Sequence, residues 1–526
     1  MSEQKNNYPF HAWVPRPLGI MILLLMFVPP TFSGGAYLSN VNEMQGSMAW
    51  WTEDTQLASF FTSIGMCLFP PFMVPFLQMR RTKQTYIVCF LLLMVLNAVC
   101  AFTTSLPMLV AACLVTGFVR VVVILNCTFT IAPYLTGMDT LSMFTMKEEP
   151  SPGIQYQLER KRTFLMPVLY FYILFIAQLS NILTAWFAYH FRWQDAYLAV
   201  IGMLMVAVVI ILITMPDEEK KAPSNSPWGE RRKVPEMLLM AVALCSMTYV
   251  LIYGKTLDWW DSSYIVWAFS LLLISIGLFI LLALRRGDVA YLPLGVFSYR
   301  NVAMSMLLFL VCMIFNSANS FVMTFARIST SADNVQVSSL SLWAIVGCLV
   351  GLVLSLLLIV RKVHFRWIFS LAFLLMAASN AYLYFQYQTE GMFHNLWLPM
   401  LLNFTGLLML YSLVAAWGMK GLPSRYLATF VFLMICMRNA IAPVVGTSIY
   451  SNALYHRQQY HVTRLSQDVD ALSSDARHLP PAVLKGKVMQ QATLVAMKDV
   501  SGTTVAGLTA TAILVLFLPY RKHETT

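Results

Sequence analysis

Apolar runs as long as a bilayer is thick recur fourteen times along this chain. A hydrocarbon core about 30 Å deep takes roughly 20 helical residues at about 1.5 Å each. Runs of that size fall near 17–38, 55–77, 85–104, 107–133, 164–189, 196–215, 236–254, 263–284, 302–325, 338–360, 367–387, 396–418, 427–450 and 499–519. The chain is 58% hydrophobic and 11% charged, where soluble domains average about 45–50% apolar and about 25% charged. An all-α polytopic membrane protein with 14 transmembrane helices is the expectation.

Basic residues orient it. With the N-terminus in the cytoplasm, the segments on that side hold 24 Lys and Arg, and the opposite side holds nine. Six of those nine lie in the long segment 451–498, which counts least in the positive-inside rule. Both termini are therefore placed in the cytoplasm. The net charge of +11 is scattered over short loops as topology signals, which argues against nucleic-acid binding. All nine cysteines lie in apolar runs with no CxxC pair, as small core hydrophobes.

Short basic loops follow spans 2 (QMRRTKQ) and 10 (RKVHFR), eight spans apart. This weak repeat predicts an N-terminal six-helix half (1–215) and a two-helix insert with flanking loops (216–301). A C-terminal six-helix half (302–526) carries the external segment 451–498. Halves of this kind place a substrate site at their interface and alternate access by rocking.

The spans contain no paired carboxylates, no metal-ligand cluster and no Ser/His/Asp order. Nothing argues for an enzyme, a cofactor or a metal. What stands out is Arg120, central in PMLVAACLVTGFVRVVVILNCTFTIAP, with no acid in the segment. Insertion scales charge about 2.5–3.5 kcal/mol for such an arginine, so it faces a bundle or a watery cavity. It reads either as a cavity-lining cation or as a packing residue neutralised by carbonyls. Arg438 is the second arginine inside a span. Asparagines in apolar surroundings (Asn126, Asn181, Asn316, Asn319, Asn380, Asn403) join the two in a candidate substrate cavity, although any one of them is explained by an interhelical hydrogen bond. Proline breaks at Pro29, Pro30, Pro70, Pro71 and Pro75 kink the first two spans. The acids nearest the membrane are Glu43, Glu53, Asp54 and Asp499; the last three are the candidates for proton coupling, against the plainer reading of interfacial charges. His456 and His461 fall outside the spans, where solvated or partner-facing roles are expected.

Several of these residues resemble the fourteen-span drug/proton antiporter branch of the major facilitator superfamily (the EmrB/QacA group). Arg120 takes the place of that family's span-4 arginine. HFRWQDAYLAV resembles its Trp-Arg-Trp-x-Phe turn, keeping Trp193 with Gln194 for the arginine. MRNAIAPVVGTSIY resembles its span-13 pattern at Arg438 and Gly446, and QQATLVAMKDVSG leads into span 14 through Asp499. The gating loop is degenerate: Leu77, Arg80, Arg81 and Lys83 fit, but Met79 and Thr82 replace an aspartate and a glycine. The Gly-Pro motif of span 5 and the acid of span 1 are missing. The resemblance implies a major facilitator fold and export of amphipathic organic compounds across a bacterial inner membrane, with proton coupling in question. It also implies a periplasmic adaptor and an outer-membrane channel as partners, docking through 451–498, where a solvated hairpin is the equal alternative. The sequence leaves two other functions open: a facilitator for an anionic solute drawn by the arginines, and a transport-inactive scaffold.

Overall fold

The computed structural model describes residues 9–37, 40–72, 82–136, 152–217, 233–287, 290–389, 391–468, 480–518 and 520. It is all-helical among them. The helices are α1 (Arg16–Phe32), α2 (Val41–Met48), α3 (Thr52–Leu68), α4 (Thr82–Phe102), α5 (Leu106–Thr136), α6 (Pro152–His190), α7 (Asp195–Thr214), α8 (Val234–Tyr253) and α9 (Ser263–Arg286). Then come α10 (Arg300–Asn316), α11 (Ser320–Ser329), α12 (Asn334–Val360), α13 (Phe365–Gln386), α14 (Trp397–Gly418), α15 (Ser424–Ile435), α16 (Ala442–Asp468) and α17 (Pro481–Phe517). A π-helical turn, Cys436–Ile441, joins α15 to α16.

Twelve helical stretches among the described residues are long and apolar enough to cross a membrane. The first two expected spans are the exceptions: α1 and α3 have 17 residues each, short of the roughly 20 that a perpendicular crossing takes. Helix α1 runs through Pro29 and Pro30 and ends two residues later. Ser33 keeps that end satisfied, donating both its backbone N–H (3.0 Å) and its hydroxyl (3.1 Å) to the carbonyl of Pro29.

The chain falls into two compact units. One comprises 1–165, 183–306 and 418–441; the other comprises 166–182, 307–417 and 442–526. In the first, α3 and α5 cross so closely that each uses a glycine. A Cβ on Gly65 would collide with the backbone carbonyl of Leu114, and one on Gly117 with that of Thr62. Without a hydrophobic force between helices in lipid, close backbone approach of this kind supplies the van der Waals contact. Arg120 follows Gly117 by three residues, so this crossing fixes its height in the bundle.

In the second unit α13 packs along α17. Gly446 on α16 meets Ser317 and the Cα of Ile314 in the same manner, and Thr405 donates to the carbonyl of Gly347 across α14 and α12 (3.0 Å). Helices α16 and α17 have 27 and 37 residues. At about 1.5 Å per residue α17 is about 55 Å long, well beyond a 30 Å core. Most of the expected external segment is therefore continuous with the spanning helices: 451–468 extends α16, 481–498 opens α17, and 469–479 lies outside the described residues.

The glycine crossing predicts a sharp contrast. Gly65→Leu or Gly117→Val overpacks the α3–α5 contact and lowers stability by about 1–3 kcal/mol. Gly202→Ala on α7, with nothing within 4 Å of its Cβ, leaves it unchanged. Thermal unfolding in detergent reads the difference.

Candidate functional site

Arg120 lies midway along the 31-residue α5. The outward face of that helix is marked by Met108, Ala111 and Val115, all exposed. At about 100° per residue Arg120 lies roughly 120–180° round from them, on the side of buried Cys113, Thr116 and Cys127. It points inward. The residue is half-buried, and its Nε is shut in with no hydrogen-bond partner among the described residues. Its two terminal nitrogens likewise have no hydrogen-bond partner among the described residues. No described carboxylate pairs with it. An inward guanidinium with its paired N–H groups free is shaped for a bidentate anion.

The polar groups around it are largely occupied. Tyr37, within electrostatic reach of Arg120, donates to the carbonyl of Phe32 (2.6 Å) and packs its ring 4.8 Å from that of Tyr197. Tyr197 donates to the carbonyl of Gly35 (2.7 Å). Asn97 donates to Leu93 and Ser33, leaving its buried Oδ1 without a partner. That cluster (Ser33, Gly35, Tyr37, Asn97 and Tyr197) was not singled out from sequence.

The other expected site residues divide. Asn126 is buried in the first unit. In the second, Asn403 donates to Asn316 (3.1 Å), while Asn319 stands one turn on and Asn181 is exposed on α6. Asn380 donates to the carbonyl of Met376 one turn back (3.0 Å). Arg438 sits in the π-helical turn and donates from Nε to Asn439 (3.0 Å); single π turns recur at functional sites. Lys83 is half-buried in the first turn of α4, and Leu77, Arg80 and Arg81 lie outside the described residues.

Two of the three expected coupling acids are tied down. Asp54 accepts the backbone N–H of Trp51 (2.9 Å), capping α3, and its other oxygen takes the hydroxyl of Tyr253 on α8 in a short hydrogen bond. Asp499 meets Nε2 of His461 at 2.8 Å, with Nη1 of Arg457 at 3.8 Å. His461 is thus bonded to α17, a correction to the solvated role expected of it: extension of α16 as helix brings 461 level with 499. Glu53 is half-buried beside Asp54. Trp193 of the expected turn donates from Nε1 to Ser47 (3.0 Å), tying α7 to α2.

Comparison with solved structures finds the same chain path. The protein is similar to an auto inhibited POT family peptide transporter (TM-score 0.55, 13% identity, covering 96% of this chain and 98% of that one). It is also similar to the nucleoside transporter NupG in a mutant form (0.52, 13% identity, 93% and 98%). A further POT peptide transporter structure, with bound sulfate, covers 98% of this chain and 99% of its own (0.56, 14% identity). The fold is a major facilitator fold. No family model matches the sequence, and no curated protein matches it.

Within this major facilitator fold the sequence reading passed over Glu236. It opens α8, is fully buried, and accepts from Nη1 of Arg286 (2.6 Å) and from the backbone N–H of Tyr291 (2.5 Å). Tyr291 donates in turn to the carbonyl of Leu68 at the end of α3 (2.8 Å) and packs against Phe72, Phe279 and Phe432. Burial pushes its phenol well above the usual range, so it stays a donor. These bonds seat α8 and α9 on α3. A signal existed: in an antiparallel hairpin the first turn of α8 and the last residue of α9 share a level, and these carry an acid and an arginine.

Removing one partner strands the other charge. Glu236→Ala is expected to destabilise by roughly 3 kcal/mol, as for a broken buried ion pair. Arg286→Ala, on the more exposed partner, should cost less, and thermal unfolding of both variants in detergent measures the order.

Proposed function

We propose that this protein is a secondary transporter that exports amphipathic organic compounds by alternating access, and that Arg120 pairs with an anionic group on them. The observation that carries the reading is the unpaired, inward Arg120. A bare cation in a spanning helix is expensive to keep, and an anion arriving with the solute offsets that cost in the loaded state alone. The fold adds support, since the chains it resembles carry "peptide transporter" and "nucleoside transporter" as their descriptions.

Coupling is the finer point. Asp499 with His461 is the better placed of the candidate proton sites, because Asp54 spends both oxygens on a helix cap and on Tyr253. The facilitator reading rests on a specific observation too: no carboxylate faces Arg120 among the described residues, so the arginine has no internal acid to exchange protons with. The site is proposed to lie in a bacterial inner membrane with both termini cytoplasmic. The helical extensions 451–468 and 481–498 are the surface proposed for an adaptor.

Proteoliposomes carrying the full chain test this. Flux of amphipathic carboxylates is expected to fall about ten- to a hundredfold in Arg120→Ala, the equivalent of a charge-assisted hydrogen bond of about 1.5–3 kcal/mol. Arg120→Lys should fall between. An equal loss for a neutral analogue, or unchanged flux in a well-folded Arg120→Ala protein, overturns the anion role. Flux that moves protons the opposite way supports antiport with Asp499→Asn abolishing it, whereas flux indifferent to a pH gradient supports the facilitator.

A further inference from the structure

A cavity in the first unit is lined by residues other than Arg120. It is a cleft of about 450 Å³, within the roughly 300–1,000 Å³ of small-molecule sites. Trp51 caps it before α3, Val110 comes from α5, Tyr249 and Tyr253 from the end of α8, Leu257 from the following turn and Tyr264 from α9. The walls are hydrocarbon and aromatic ring. Of their few polar atoms, the Tyr253 hydroxyl is already committed to Asp54, so the cleft offers little to hold water, which needs two to four polar partners.

Its position says what fills it. Every lining element is near a helix end: the first two turns of α3 and α5, the first turn of α9, and the last two turns of α8. In a membrane that level is the interface, where tryptophan and tyrosine collect. The mouth runs onto α9, whose spanning window is 17% buried, the lowest of the twelve. Tyr264 and Trp267 beside it are 71% and 76% exposed. Leu271, Ile274 and Leu278 continue the same bare surface along α9. The cleft is thus continuous with the lipid-facing surface of a spanning helix. An empty apolar cleft forfeits dispersion contacts, and bilayer hydrocarbon is available at its mouth.

We propose that this cleft is a lipid site, holding one acyl chain of a bilayer phospholipid between the α8–α9 pair and helices α3 and α5. The chain enters sideways from the leaflet, and its ester region stays at the level of Trp51 and Tyr264. The Asp54–Tyr253 bond ties α3 to α8, two of the elements that line the cleft.

The full chain in nanodiscs of phosphatidylethanolamine and phosphatidylglycerol, doped with a phospholipid bearing a diazirine in its acyl chain, tests this. Cross-links mapped by mass spectrometry are expected on peptides containing Val110 and Tyr249–Leu257, and to saturate at a low probe fraction. Labelling of the outer face of α9, around Ile274 and Leu278, should rise in proportion to probe. Val110→Trp or Leu257→Trp, each filling the cleft, should cut cleft labelling at least fivefold and leave the α9 face unchanged. Cleft labelling that rises in proportion to probe, or that persists in both filled variants, overturns the site and leaves ordinary annular lipid. Labelling displaced by an aromatic transport solute but not by excess unlabelled phospholipid overturns it too, and gives the cleft to the solute. None of these readouts depends on Arg120 or on transport.

Discussion

Hydrocarbon gives a polar group no partner, and that constraint decides where this chain puts each of its charges. Backbone groups satisfy one another within helices. Side-chain hydroxyls mostly return to the preceding turn, as Thr31, Thr116, Thr405 and Ser412 do. What cannot be satisfied inside one helix is satisfied between neighbours, as in the Asn403–Asn316 bond. Arg120 departs from this pattern. Its guanidinium is held inside the bundle without a hydrogen-bond partner among the described residues, and the glycines three residues before it and across on α3 let the two backbones close beside it.

The acids follow the opposite rule. Asp54, Glu236 and Asp499 all stand at or near the ends of spanning stretches and all are bonded. Asp54 and Glu236 both join the α8–α9 pair to α3, the one through Tyr253 and the other through Tyr291 and Leu68. These two ties lie at opposite ends of α8. A helix pair pinned at both ends to the same neighbour moves with it, so α8 and α9 behave as part of the first unit and not as a loose spacer.

Much of this was legible before the fold was known, and for a physical reason. Spanning runs are read from length and hydropathy alone, because the bilayer imposes both. The cost of a charge in lipid likewise makes Arg120 conspicuous without any neighbour. Pairings were not legible. Glu236 looks like any interfacial acid until Arg286, fifty residues on, is seen beside it. His461 seemed solvated because its partner depends on α16 continuing as helix beyond the membrane, which a polar sequence such as YHRQQYH does not announce. Helix α1 closes at Ser33, short of where the apolar pattern carried it, while α3 passes into a 3-10 turn at Pro70 and the rest of that expected span, 73–77, lies outside the described residues.

The difference between Arg120 and the acids bears on how such a protein works. A carboxylate that carries protons must lose its partners at some stage, and Asp54, engaged at both oxygens by a cap and a phenol, would have to give up helix α3's first turn to do so. Among the described residues Asp499 pairs with His461 and the more distant Arg457, both on α16. A change in either charge there needs only a shift of one helix against another. Arg120 needs no such release, since it has no hydrogen-bonded or ion-paired partner among the described residues. The proposed function assigns binding to the cation of the first unit and response to the acid–histidine pair at a helix exit of the second. That division follows from where hydrocarbon permits a charge to stand.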